Sequence, residues 1–263
     1  MTENKNSICD NVILSAICGS RGYGTDNPSS DFDIRGIGVY PKNMTLGYVE
    51  RPEQESSTSV ENGQVWDQIH YDLRKFMRLA AGCNPNILEI VFSPDKNLRI
   101  CTSEGALLRF HKEKFLSKEA FKTYGGYAKG QLSKIKARKS SIEQGKKSVK
   151  LNLERAEAEI KFGYDTKYAM HLVRLMRTCE EILSGQGVIV HRPDAEELKA
   201  IRNGSWSLQK LEEWFEEMDA KLYVKAASSD LPDRTDEEFL NELCVQIQEE
   251  HWNRSKPFRV SLG

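Results

Sequence analysis

Residues 18–39 run CGSRGYGTDNPSSDFDIRGIGV. The apolar run Val12-Ile13-Leu14-Ser15-Ala16-Ile17-Cys18 precedes them and stops at Gly19, as a buried strand does. A loop of glycines and small polar residues follows. Asp31 and Asp33 then stand as D-x-D directly before a second apolar run, residues 34–40. Side chains two apart on a strand point to one face, so these carboxylates can grip a metal centre together. Glycine at position 19 lets backbone come close to a phosphate, and the Ser20 hydroxyl can bond to it. Such a site suits phosphoryl transfer, in which Mg²⁺ bridges triphosphate oxygens and activates an attacking hydroxyl. Mg²⁺ is a hard ion that prefers carboxylate oxygens and keeps several waters. The competing explanation is a surface turn, because N-P-S-S-D is turn chemistry. The Gly-Ser upstream and the apolar run downstream speak against it.

A third carboxylate lies further on. In residues 64–71, QVWDQIHY, Val65, Asp67, Ile69 and Tyr71 alternate with Trp66, Gln68 and His70, which predicts a strand. An ionised Asp67 inside a strand is costly unless it coordinates or pairs. From Asp72 the period changes to that of a helix, with Leu73, Phe76, Met77 and Ala80 on one side and Gly82 closing the element. Asn84-Pro85-Asn86 opens another short helix. Asn84, Asn86 and Glu89 either line a cleft or, for Asn84, cap that helix.

From about Ser117 the pattern is helical. Residues 164–183, 207–227 and 235–248 carry apolar side chains at spacings of three and four, and Asp194-Ala195-Glu196-Glu197 starts a helix with an acidic first turn. The expected fold class is α+β. A mixed-sheet catalytic domain with flanking helices, residues 1–115, precedes a helical domain, residues 116–263, that completes a nucleotide cleft.

Composition narrows the function classes. The chain has 263 residues, 39% hydrophobic and 29% charged, with a formal net charge of -1. That balance excludes a protein that coats nucleic acid by bulk electrostatics, so any such contact is local. The first ten residues are polar and no apolar run nears the ~20 residues of a membrane span, which predicts a cytoplasmic protein without membrane contact. The six cysteines form no CxxC pair and no histidine stands at ligand spacing from them, so reduced core cysteines are expected and a zinc site is not. Residues 129–150 hold eight basic residues against Glu143 alone, an excess of seven positive charges. This run is either a solvated helix face or a platform for a polynucleotide acceptor.

Together these motifs resemble the DNA polymerase β-like nucleotidyltransferases, whose mark is Gly-Ser, a spacer, D-x-D and a third acid on a later strand. Three segments, GSRGYGTDNPSSDFDIRGIGV, DQIHYDLRKFMRLAAGCNPNILEIVF and KYAMHLVRLMR with the following EEILSGQG, are similar to one branch of it, the predicted nucleotidyltransferases associated with RNA repair. The resemblance runs from about Val12 to Ile247. It implies an enzyme that moves a nucleoside monophosphate from an NTP to a hydroxyl (an RNA 3′ end, a protein or a small molecule) with release of pyrophosphate. Asp31, Asp33 and Asp67 would be catalytic and would bind two Mg²⁺ ions, with Mn²⁺ as a substitute. Gly19, Ser20 and Arg21 would hold the triphosphate, and Lys167, His171 and Arg174, at i, i+4 and i+7 of one helix, would face the nucleotide. For Arg21 and Arg35 the residues leave two roles open, bidentate contact with phosphate or pairing with the acidic cluster. Relatives tend to carry Lys-His-Ala where this chain has Lys167-Tyr168-Ala169. The rival readings are an NTP-binding regulator without turnover and a nucleic-acid-binding adaptor.

Overall fold

The structure is a computed structural model that describes residues 7–48, 50–143 and 153–254, with side chains described up to 138 and again from 158. In chain order the elements are β1 (Val12–Cys18), α1 (Gly19–Tyr23), β2 (Phe32–Gly38), α2 (Lys42–Leu46), β3 (Gln54–Glu61), β4 (Gln64–Asp72), α3 (Leu73–Ala81), α4 (Pro85–Phe92), β5 (Leu98–Cys101) and α5 (Ser103–Phe110). The helices α6 (Glu119–Glu143), α7 (Leu153–Phe162), α8 (Thr166–Leu183), α9 (Ala195–Arg202), α10 (Leu208–Ser228) and α11 (Glu237–Arg254) follow.

The five strands form one mixed sheet in the order β3-β4-β2-β1-β5. β2 and β4 run parallel, and every other neighbouring pair is antiparallel. β1 is buried along nearly its whole length because it lies between β2 and β5, which explains its continuous apolar sequence. β3 is the exposed edge. Its sequence, QESSTSVE, is polar on both faces, so it carries almost no alternation for a sequence reading to detect, and it was not expected. The helix α1 was likewise expected as loop; it is a single short turn that begins at Gly19 and ends at a left-handed Gly24.

The chain divides into two compact units. The first runs to Gly82, resumes over Asn86–Phe115 and takes in the chain from Thr235. Its core gathers Ile13, Leu14, Ile37, Leu73, Phe76, Ile87, Leu88 and Phe115, all nearly or wholly buried. The second unit comprises Cys83–Pro85 and Leu116–Arg234, and α6 and α8 form its main helix pair, with Tyr124, Leu172, Met176, Cys179 and Ile182 buried. The last helix, α11, differs from its expected placement in the helical domain. It packs on α3 and α5 of the sheet unit, burying Leu240, Leu243, Cys244 and Ile247, and Trp252 Nε1 donates to the Tyr40 carbonyl at 2.9 Å. The apolar stripe of such a helix can be seen in the sequence, but not which surface accepts it. All six cysteines are free; Cys18, Cys83, Cys179 and Cys244 are buried, whereas Cys9 and Cys101, expected in the core, are exposed on the 3₁₀ turn before β1 and on β5. Among the described residues, no helix is long and apolar enough to cross a membrane.

Candidate active site

Four strands bring one row of side chains into line. Cys18 of β1 is in register with Asp33 of β2, Asp33 with Asp67 of β4, and Asp67 with Thr58 of β3. Residues paired in this way share a face, and neighbouring strands lie about 4.8 Å apart, so Asp33 and Asp67 are adjacent carboxylates. Asp31 stands one residue before β2, two positions from Asp33, and is exposed. The position immediately after Cys18 is Gly19, which has φ +60. A Cβ built there would come 2.0 Å from Asp33 Oδ2. The sequence reading had given this glycine's close approach to a phosphate; in the structure the group it approaches is the Asp33 carboxylate. Ser20 follows in the first turn of α1, and its carbonyl accepts from the Thr25 amide at 2.9 Å, which folds the loop back on the turn.

The face carrying these acids also holds a buried charge pair. Arg35, two residues beyond Asp33, pairs with Glu89 of α4 and donates to the Asn86 carbonyl at 3.2 Å, while the Tyr23 hydroxyl bonds to the other Glu89 oxygen. Glu89 is 1% exposed. Burial works against the Arg35 charge, but Glu89, together with Cys18, Tyr23 and Tyr71, outweighs it and holds the guanidinium pKa above its ordinary value. Arg35 is therefore engaged inside the unit by Glu89, an acid outside the Asp31, Asp33 and Asp67 cluster. Burial also pushes the Asp33 carboxyl upward; Arg35 opposes this, while Glu89, Asp67 and Asp31 add like-charge repulsion.

The opposite face of the same strands is an aromatic stack. Phe32 and Trp66, the neighbours of Asp33 and Asp67, lie face to face at 4.1 Å and 7°. The Arg21 guanidinium covers Phe32 at 3.8 Å, and Arg99 lies 5.5 Å from Trp66. Arg21 also donates to the Ser30 carbonyl at 2.7 Å and to Gln64 at 3.2 Å, and pairs with Asp26 at 3.5 Å. It fastens residues 24–31 across the mouth of β2 and β4. None of these partners belongs to the Asp31, Asp33 and Asp67 cluster.

Lys167, His171 and Arg174 all lie on α8 of the second unit, with Arg174 buried and the other two half-buried. Asp165 caps that helix through the Lys167 and Tyr168 amides. Asn84 belongs to the same unit and donates to the Tyr127 hydroxyl at 3.0 Å. Much of the basic run is matched by acids. Lys129 pairs with Asp219 at 3.2 Å, Lys136 with Glu212 at 3.0 Å and Arg138 with Glu159, while Lys134 lies over the Tyr168 ring. The side chains of Lys139, Lys146, Lys147 and Lys150 lie outside the described residues.

The acid row fits a Mg²⁺ centre by donor chemistry. It offers hard carboxylate oxygens, and Asp33 is desolvated beside three other acids. Among the described residues no group of three or more His, Cys, Asp or Glu side chains is placed to hold a metal ion together, so the row supplies at most a pair of adjacent carboxylates. An open set suits an ion that keeps waters and takes substrate oxygens. Sequence reasoning missed Thr58 and Tyr23, because neither an exposed strand threonine nor a core tyrosine carries a pattern of its own.

Known proteins place the chain. An uncharacterized 38.9 kDa protein of enterobacteria phage T4, from the nrdC-mobD intergenic region, is 26% identical over 138 residues, covering 50% of this chain and 40% of that protein. The chain thus matches well under half the length of that relative. A solved nucleotidyltransferase-like protein from Exiguobacterium sibiricum 255-15 aligns at 10% identity with a TM-score of 0.32, over 83% of this chain and 69% of that one. The decisive match is longer: the sequence model of the RNA repair pathway DNA polymerase beta family (RlaP) spans residues 1–246, and the chain belongs to that family.

Proposed function

We propose that this protein is a metal-dependent nucleotidyltransferase that moves a nucleoside monophosphate from an NTP to a hydroxyl acceptor. The observation that carries this reading is the row itself: Asp33 and Asp67 in direct register, Asp31 beside them, and the Gly19-Ser20 turn against Asp33. Family membership supports the reaction class. Nucleotidyltransferases of this fold typically use divalent metals. Asp31, Asp33 and Asp67 would hold Mg²⁺, or Mn²⁺ in its place, and the bound ion neutralises triphosphate charge and lowers the pKa of an attacking hydroxyl.

The chain's own residues do the rest. Asp33 on β2 and Asp31 one residue before it would present oxygens to the ion, and Asp67 would take the acceptor proton. The first turn of α1 offers backbone N–H groups and the Ser20 hydroxyl to phosphate oxygens. Arg35, held by Glu89, stays beneath the acids and offsets their mutual repulsion. On the family resemblance alone, Lys167, His171 and Arg174 of α8 would be further nucleotide contacts. An RNA 3′ end is the acceptor we favour, in keeping with the family, and residues 129–150 would guide it. A cytoplasmic location follows from the same reading.

The test is direct. The purified protein is incubated with each labelled NTP, Mg²⁺ or Mn²⁺, and RNA or cell lysate, and the labelled product is identified. Transfer that vanishes in Asp33→Asn supports the reading. Metal-independent NTP binding with no labelled product under any of these conditions rejects it in favour of a regulator without turnover.

A further inference from the structure

We propose that Thr58 is a positioning residue for Asp67, fixing the direction of its carboxylate; this rests on the nucleotidyl-transfer reading above. Thr58 lies directly opposite Asp67 across the antiparallel β3–β4 pair, and its Oγ1 donates to Asp67 Oδ1 at 2.7 Å. That is an ordinary length for a hydroxyl donating to a carboxyl oxygen. An aspartate carboxyl turns about a soft torsion between sp³ and sp² carbons, so the side chain alone sets its plane poorly. Threonine is stiff about χ1, and in a paired strand its hydroxyl has a defined direction. A single donated proton engages Oδ1 and leaves Oδ2 for a metal or an acceptor proton.

The alternative, a bond kept for stability, fits the surroundings badly. Thr58 is exposed, β3 is the sheet edge, and its neighbours on that face, Ser56 and Val60, are exposed too. A hydrogen bond at such a position adds little to folding. Its effect falls on the carboxylate instead. At the other end of the row, the Asp33 carboxylate fills the space that a Cβ on Gly19 would need.

The experiment compares the wild type with Thr58→Val, which keeps the shape and the β-branch, and Thr58→Ser, which keeps the hydroxyl. Mn²⁺ affinity in the presence of ATP is measured by electron paramagnetic resonance, alongside kcat, KM for the NTP and Tm. We expect Thr58→Val to lose about 10–100-fold in Mn²⁺ affinity or kcat, the usual effect of removing a group that orients a metal ligand. KM for the NTP and Tm should hold, and Thr58→Ser should recover most of the loss. Wild-type Mn²⁺ affinity and kcat in Thr58→Val overturn the proposal. So does a loss that follows a lowered Tm and is not recovered by serine, which would make Thr58 structural. A wild-type protein that neither binds Mn²⁺ with ATP nor transfers a nucleotide sinks the nucleotidyl-transfer reading first, and this proposal with it.

Discussion

Gly19 and Asp33 stand so close that the glycine's missing side chain is part of the acid site: a Cβ on Gly19 would lie 2.0 Å from Asp33 Oδ2. The glycine also has φ +60, in the left-handed region. Gly19→Ala therefore meets two penalties at once, backbone strain of about 1–2 kcal/mol and displacement of the carboxylate. We expect a lower Tm together with a loss of Mn²⁺-dependent ATP binding larger than the melting shift explains. Calorimetric titration at a temperature where both proteins are folded checks this, and unchanged binding would remove Asp33 from the metal site.

Asp33 is expected to oppose folding while it is charged. Its folded-state pKa is raised above the ordinary 3.8 by burial, helped by Glu89, Asp67 and Asp31 against Arg35. For an acid shifted upward, the ionised form is the less stable one in the fold, so the penalty is full above the folded-state pKa and fades as pH falls through it toward 3.8. Asp33→Asn should therefore melt higher than the metal-free wild type at neutral pH, with the gap closing on acidification. The same variant should lose at least about 10²–10³-fold in transfer, the scale of removing one principal electrostatic stabiliser. A gap that widens as pH falls would contradict the assignment.

The Arg35–Glu89 pair, with Tyr23 on the second carboxylate oxygen, behaves as a buried unit. Glu89→Ala strands the guanidinium without its counter-charge, which typically costs about 3–5 kcal/mol. Replacing both partners, Arg35→Met with Glu89→Leu, should recover a large part of that loss. Urea denaturation of the single and double variants measures it. A double variant no more stable than Glu89→Ala alone would mean that the charge pair is not what the single change breaks.

For the basic run, stability and RNA binding should separate. The Lys136–Glu212 pair is exposed, so Glu212→Gln should leave stability within about 0.5 kcal/mol. If the run guides RNA, that change raises affinity by releasing Lys136, and Lys134→Gln with Lys136→Gln flattens the salt dependence by about 0.7 per lost phosphate contact. Arg138 is a poor choice for this test, because Glu159 beneath it is buried and would be left unpaired. Filter binding across a salt series reads the slopes. Identical slopes in the wild type and the lysine variant would place the acceptor elsewhere.

The sequence by itself determined the chemistry-bearing strands. D-x-D before an apolar run, and an aspartate in an alternating strand, are local patterns, because strand periodicity is written into consecutive residues. The register that sets Asp67 against Asp33 was decided only in the tertiary structure, by pairing between strands some thirty positions apart in the chain. So were the partners of Arg21 and Arg35, since a cation's sequence does not say which acid it will meet. The edge strand β3 and its Thr58 were invisible for the same reason: a polar edge buries too little to leave a pattern, and its contribution comes wholly from the neighbour it pairs with. The placement of α11 on the sheet unit was likewise a matter of which apolar surface remained uncovered, a property of the folded chain and not of the helix.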